Sequence, residues 1–315
     1  MKKKPIIISI AGIKLTKIEK KILINEKPWG IILFKRNMKT FHQTQKLIKS
    51  IKKSTKDRKF PILIDEEGGA VTRISNFLNN KIYSQKYFGD LFRKDKNIST
   101  KLYSVYINSI CSLLNSLGIN INTVPVLDMF YKNTSKILKN RVFSANKNVI
   151  KKLSNVCINT YKKNNIGTVV KHIPGHGLAK SDSHQVLPKV KKKYSYLIKN
   201  DFACFYRSNS FFAMTAHVLY EDIDSNYPVT LSKKTISKII RKKLKFNGIL
   251  ISDDICMKAL KYDLYTNALK SLSAGCNLVL YCAGKQHESA KLLKKLPYID
   301  KFTQKKTSEF YKFLS

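Results

Sequence analysis

The segment KHIPGHGLAKSDSH, residues 171–184, holds three of the six histidines of the chain, together with Lys171 and Asp182. Gly175 and Gly177 permit tight turns around His176. Within a turn, the Asp182 carboxylate can accept a hydrogen bond from the His184 ring. That bond fixes the tautomer and raises the basicity of the other ring nitrogen, as in hydrolytic dyads. Zinc is the alternative for a histidine-rich loop. His172 and His176 have H-x3-H spacing, but there is no HExxH and no cysteine close by. Acidic residues are scarce, 20 in 315, yet they gather after apolar runs: Asp65, Glu66 and Glu67, then Asp128, then Asp253 and Asp254. A carboxylate facing an imidazole suits nucleophilic and acid–base cleavage of a polar bond. A single Asp after a strand also serves as a helix cap or an amide anchor, and Asp128 and Asp254 are open to that reading.

Groups so far apart in the chain need a scaffold that gathers them. Eight short apolar runs recur: 6–10, 30–34, 61–65, 121–126, 167–172, 211–217, 248–252 and 277–281. Continuous apolar runs of this length read as parallel strands buried on both faces. Helical periodicity lies between them, at 15–24, 44–53, 235–244 and 265–275. Thr230 or Ser232 is placed to cap the third of these helices, and Gly275 to end the fourth. Eight β-then-α units predict an α/β fold, a single (β/α)8 TIM-type barrel over residues 1–315, with the packing of the stretch from about 285 left open. An open doubly wound sheet is the rival, but no glycine-rich phosphate loop follows a strand. Barrels carry their chemistry at the C-terminal ends of the strands. Asp65, Asp128, Lys171, His172, His217 and Asp253 all fall there. Residues 76–118 are long enough to hold a lid or to cover a barrel end.

The chain carries 60 basic residues against 20 acidic, a formal charge of +40. Nucleic acid or an anionic surface is the first partner such a charge suggests. The lysines are spread over the whole length, with no finger spacing and no basic arm, which fits a chain-wide drift towards lysine. No specific nucleic-acid partner is expected. The six cysteines form no CxxC pair and read as reduced thiols. The run Pro5 to Ile13 is short and lacks an A-x-A site, and no apolar run reaches the length of a membrane span. A cytoplasmic, monomeric protein without a membrane partner is the expectation.

Six motifs in order, DEEGGAVTR (65–73), PVLDM (125–129), KHIPGHG (171–177), DSH (182–184), MTAHVLY (214–220) and ISDDICM (251–257), resemble the bacterial β-N-acetylhexosaminidases of glycoside hydrolase family 3. The resemblance runs from the first strand to about residue 285. It implies a barrel and a retaining mechanism with Asp253 as nucleophile, His184 as acid/base and Asp182 as its partner. Substrate binding would fall to Asp65, Arg73, Arg141, Lys171 and His172, with no cofactor and no metal. Glu66 stands where the family commonly has Gln. Single-domain members resemble the cytoplasmic enzyme of peptidoglycan recycling, so the expected partner is a small glycan, a muropeptide ending in N-acetylglucosamine. Lys171 is expected beside Asp253, helping to keep it ionised. Another β-glycoside, or phosphorolysis to a sugar 1-phosphate, is the alternative on the same scaffold.

Overall fold

The computed structural model describes residues 2–314. Ten strands occur: β1 (Lys4–Ile8), β2 (Pro28–Leu33), β3 (Ile62–Ile64), β4 (Ile121–Asn122), β5 (Gly167–Ile173), β6 (Lys189–Val190), β7 (Phe212–Thr215), β8 (Leu219–Tyr220), β9 (Ile249–Asp254) and β10 (Leu278–Tyr281). All but β6 and β8 form one closed parallel barrel in the order β1, β10, β9, β7, β5, β4, β3, β2. Each barrel strand lies within one of the eight apolar runs or overlaps it closely. β6 and β8 make a separate two-stranded parallel sheet outside the barrel, pairing Val190 with Tyr220.

Strand alternation divides each run between two cores. Ile7, Ile32, Leu63, Ile121, Val169, Phe212, Met214, Ile249, Ile251, Leu278 and Leu280 form one cluster that fills the barrel. Their neighbours Ile6, Ile8, Ile31, Ile62, Val170, Ala213, Leu250 and Val279 join a second cluster with the surrounding helices. The inward set, continued by two residues beyond the apolar part, reaches Phe34, Asp65, Thr123, Lys171, Asp253 and Cys282. The period of two thus delivers these six side chains to the mouth of the barrel, where all of them line one cavity.

The outer layer comprises α1 (Lys17–Asn25), α2 (Phe41–Thr55), α3 (Gln85–Lys94), α4 (Lys96–Leu117), α5 (Lys147–Lys163), α6 (Tyr194–Lys199), α7 (Leu264–Ala274), α8 (Gln286–Lys295) and α9 (Lys301–Phe313). Thr16 and Glu19 form a capping box at the start of α1. Gly275 ends α7 in the left-handed region at φ +117°, where a side chain would be strained. The helix expected over 235–244 is a π-helix, Thr235–Lys243. Leu244 N reaches Ile239 O, five residues back, at 2.8 Å. Apolar spacing marks a buried helical face but does not separate a bond four residues back from one five back. Ser232 accepts from Thr235 N at 3.0 Å and serves as its cap. Within 76–118, residues 85–117 form α3 and α4, outer helices packed on each other and on α5.

The C-terminal stretch docks on the barrel. Phe310 of α9 is fully buried and enters the barrel cluster, edge-on to Phe212 at 5.0 Å between ring centres. The Trp29 indole donates to Thr307 Oγ1 at 2.9 Å. α9 therefore closes the end of the barrel opposite the cavity. Burying one such phenylalanine contributes about 1.5–3 kcal/mol.

Candidate active site

The loop after β3 is organised by Glu66. Its Oε2 accepts from Arg73 N at 2.7 Å, Thr72 Oγ1 at 3.1 Å and Ile74 N at 3.2 Å, and its Oε1 accepts from Asn80 Nδ2 at 2.7 Å. Burial pushes the Glu66 carboxyl above the usual glutamate range despite these donors. The fold of this loop returns Arg73 to the strand end, where its Nη2 meets Asp65 Oδ2 at 2.6 Å. Phe34 lies beneath the guanidinium, 5.3 Å from ring centre to Cζ.

Asp65, Glu67, Lys171 and Arg141 form one buried network. Lys171 Nζ lies 2.5 Å from Asp65 Oδ1 and 2.6 Å from Glu67 Oε1. Arg141 grips Glu67 with both Nε and Nη2, each at 2.8 Å. Burial alone would raise both carboxyls. Lys171, Arg73 and Arg141 outweigh it at Asp65, and Arg141 and Lys171 at Glu67, so both are held below the usual carboxylate range. The expected pairing of Lys171 with Asp253 is corrected by this geometry: the ammonium is taken up by Asp65 and Glu67. Glu67 was visible as a strand-end acid but not as the clamp on Arg141 and Lys171. Nothing in local spacing links it to Arg141.

Asp128 is fully buried and ties down the start of the histidine loop. Its Oδ2 takes the His172 ring at Nδ1, 2.7 Å away, and its Oδ1 takes His176 N at 2.7 Å and His172 N at 3.2 Å. The carboxylate accepts, so His172 donates from Nδ1 and presents Nε2 to the cavity. Burial, with His172 next, draws the His176 ring down to about 4, which makes it a neutral wall of the site at pH 7. Among the described residues, no group of three or more His, Cys, Asp or Glu is arranged to hold a metal ion.

Further along the histidine loop, Asp182 Oδ1 lies 2.7 Å from His184 Nδ1 and accepts His184 N at 2.9 Å. The dyad expected from the DSH spacing is present. The His184 side chain is 58 % exposed and its Nε2 is left for a ligand. Asp253 faces the same cavity. Burial pushes its carboxyl up, but His217, His172 and the Asp254 amide outweigh that and hold it below the usual value. His217 is buried outside the cavity lining. Its Nε2 donates to Asp254 O at 3.0 Å and its Nδ1 meets Thr230 Oγ1 at 2.7 Å, so it sets the end of β9 from behind. Asp254 holds the amides of Cys256 at 3.1 Å and Cys282 at 3.2 Å, the anchoring reading of that residue.

The resulting cavity is about 370 Å³ and is lined by Asp65, Arg73, Arg141, Lys171 and His172 together with His184 and Asp253. That volume suits one sugar ring with its substituents. Met214, Met257, Leu280 and Cys282 add apolar surface; strand parity discloses Met214, Leu280 and Cys282 in advance, whereas Met257 lies in the turn after β9.

Residues 5–306 match the glycosyl hydrolase family 3 N terminal domain. A β-hexosaminidase of Bordetella pertussis is 31 % identical over 285 residues, covering 88 % of this chain and 80 % of that one. A β-hexosaminidase of Neisseria meningitidis serogroup C is also 31 % identical over 285 residues, covering 88 % and 78 %. NagZ from Neisseria gonorrhoeae, solved in complex with N-trifluoroacetyl-D-glucosamine, superposes with a TM-score of 0.88 at 27 % identity, over 100 % of this chain and 90 % of that one. With the barrel, its rim of charged groups and these relatives in agreement, the chain is a glycoside hydrolase and belongs to the β-hexosaminidase branch of glycosyl hydrolase family 3.

Proposed function

We propose that this hydrolase is an exo-acting, retaining β-N-acetylglucosaminidase built as one catalytic barrel domain. Its substrate would be N-acetylglucosaminyl-1,6-anhydro-N-acetylmuramyl peptide, cleaved in the cytoplasm during peptidoglycan recycling. The observation that carries the reading is the pairing within one sugar-sized cavity. An ionised Asp253 faces it, and so does a His184 whose Nδ1 is occupied by Asp182. The names of the β-hexosaminidase relatives and the sugar bound to the gonococcal neighbour support the acetamido sugar. The lactyl and peptide carboxylates of the substrate suit a chain of +40, which attracts anions.

In this mechanism Asp253 attacks the anomeric carbon while the His184 imidazolium gives its Nε2 proton to the leaving oxygen. The C–O bond to the leaving sugar breaks and a glycosyl ester to Asp253 forms. Neutral His184 then takes a proton from water, the water oxygen attacks the anomeric carbon, and Asp253 leaves as carboxylate with net retention. An imidazole can both give and take a proton at Nε2, so one side chain serves both halves. Asp65, Arg73, Arg141, Lys171 and His172 bind the sugar hydroxyls and the acetamido group. Among the described residues, no helix is long and apolar enough to cross a membrane.

The test is release of an aryl group from the β-N-acetylglucosaminide and from the matching β-glucoside, in phosphate-free buffer, with the first-formed anomer followed by NMR. Turnover of the acetamido sugar alone, with the β-anomer appearing first, is expected. Preference for the glucoside, first release of the α-anomer, or a requirement for added phosphate would overturn the assignment.

A further inference from the structure

The loop that carries Asp182 and His184 leaves the barrel at Pro174 and is next held at β6. Its far end is fixed by the small sheet, in which β6 pairs with β8. Its near end is held by Asp128, which accepts His176 N, by Thr134, whose hydroxyl donates to Gly177 O at 2.8 Å, and by two side chains that do not line the cavity, Asp201 and Tyr220. Tyr220, itself in β8, donates its hydroxyl to Gly175 O at 2.6 Å. Asp201 opens a short turn after α6 and is fully buried. Its Oδ1 accepts Met129 N at 3.4 Å, and the amides of Gly177 and Leu178 also face the carboxyl. A Cβ built on Gly175 would come within 2.5 Å of Asp201 Oδ2, so that backbone lies directly on the acid. Phe202 braces Tyr220 edge-on at 5.0 Å.

A buried carboxyl with no cation against it is costly, and an apolar residue would fill the same space at lower cost. Burial and the nearby Asp128 both push the Asp201 carboxyl well above the usual range. What the acid provides is an acceptor for Met129 N and a polar floor beneath the Gly177 and Leu178 amides, its Oδ2 lying against Gly175 without a hydrogen-bond partner among the described residues. Downstream, Ser135 N donates to Ala179 O at 3.1 Å, and beyond Ala179 the loop tip makes two weaker contacts. Ala259 N donates to Ser183 O at 3.3 Å, and Ser183 Oγ lies 3.3 Å from the His176 ring.

We propose that Asp201 and Tyr220 are positioning residues that clamp the base of this loop and thereby set where His184 stands over Asp253. The inference rests on His184 being the acid/base of the proposed mechanism. A lost clamp would act on proton delivery more than on nucleophilic attack. Its signature is therefore dependence on the leaving group, which a general loss of fold would not produce.

The experiment compares Asp201→Ala, Asp201→Asn and Tyr220→Phe with the wild type on two β-N-acetylglucosaminides. One carries dinitrophenol, which leaves without a proton, and the other phenol, which needs one. Asp201→Ala should lose about tenfold or more in kcat/KM, which reports the first step, on the phenyl substrate beyond any loss on the dinitrophenyl one. Asp201→Asn, which keeps an oxygen acceptor in the same volume, should recover most of the difference. Tyr220→Phe should show the same selectivity, more weakly. Equal losses on both substrates for Asp201→Ala, with a lowered Tm, would overturn the proposal and leave Asp201 a fold residue only. Should that variant not fold, Tyr220→Phe decides, since it removes one hydrogen bond and no volume: an unchanged ratio between the substrates overturns the clamp. A wild-type enzyme inert on both substrates would instead defeat the hydrolase mechanism itself.

Discussion

Asp253 and Asp254 are neighbours at the end of β9, yet their carboxylates serve different partners. Both border the cavity, but Asp254 Oδ1 is occupied by the amides of Cys256 and Cys282, whereas Asp253 continues the inward row of β9. The alternation that puts Ile249 and Ile251 inside the barrel selects Asp253. Asp253→Asn should lower kcat on the order of 10⁴-fold or more, whatever the leaving group. Asp254→Asn keeps one oxygen acceptor and should cost about 1 kcal/mol of stability with a much smaller kinetic effect. Steady-state kinetics and denaturant titration of the two variants check the contrast, and equal kinetic losses would refute it.

His184→Ala should keep much of its kcat/KM on a dinitrophenyl glycoside, whose first step needs no proton, lose kcat there because water loses its base in the second step, and lose about 10²–10⁴-fold on glycans with poor leaving groups. Asp182→Asn should weaken the same step, because the ring loses the carboxylate that accepts from Nδ1. Rate measured across a series of aryl leaving groups reports both, as a steeper dependence on leaving-group acidity.

Glu67→Gln removes one charge from a network whose side chain there is 1 % exposed. Arg141 and Lys171 then share Asp65 alone. A loss of about 3–5 kcal/mol and a raised KM are expected. Glu67 and Asp65 both have lowered folded values. Their stabilisation is therefore complete above the ordinary carboxylate range and fades as pH falls through those lowered values. The wild type should lose Tm steeply below about pH 4 and Glu67→Gln less steeply, as thermal unfolding at pH 2–7 would show.

Glu66→Gln carries the opposite sign. Its folded value is raised, so ionising it costs stability as pH climbs from the ordinary glutamate value through the folded one. Glutamine keeps an oxygen for Arg73 N, Ile74 N and Thr72, and its amide can donate to Asn80 once that side chain turns its own oxygen inward. The variant should match the wild type near pH 4 and equal or exceed its Tm at pH 7–8. A large loss at pH 7 would show that the charge itself organises the loop.

Phe310→Ala tests the closure of the far end of the barrel by α9. The ring is fully buried against Phe212 and Gly167. A loss of about 3–5 kcal/mol is expected, with KM nearly unchanged in protein that remains folded.

The eight apolar runs, the acids and histidines at their ends, and the DSH dyad were all legible from residue order, because strand period and a two-residue spacing are local properties. The same parity, applied one step further, marks Phe34 and Cys282 as cavity residues and puts Asp253 on the inward row of β9. Other features depended on where distant chain segments meet. Lys171 goes to Asp65 and Glu67 rather than to Asp253, and Glu67 holds Arg141. Asp201 lies under Gly175, and α9 closes the barrel. An ion pair forms with whichever opposite charge closure of the sheet brings within reach. Amino-acid order determined which side chains reach the mouth of the barrel; only the closed barrel and its packed loops decided which of them are partners there.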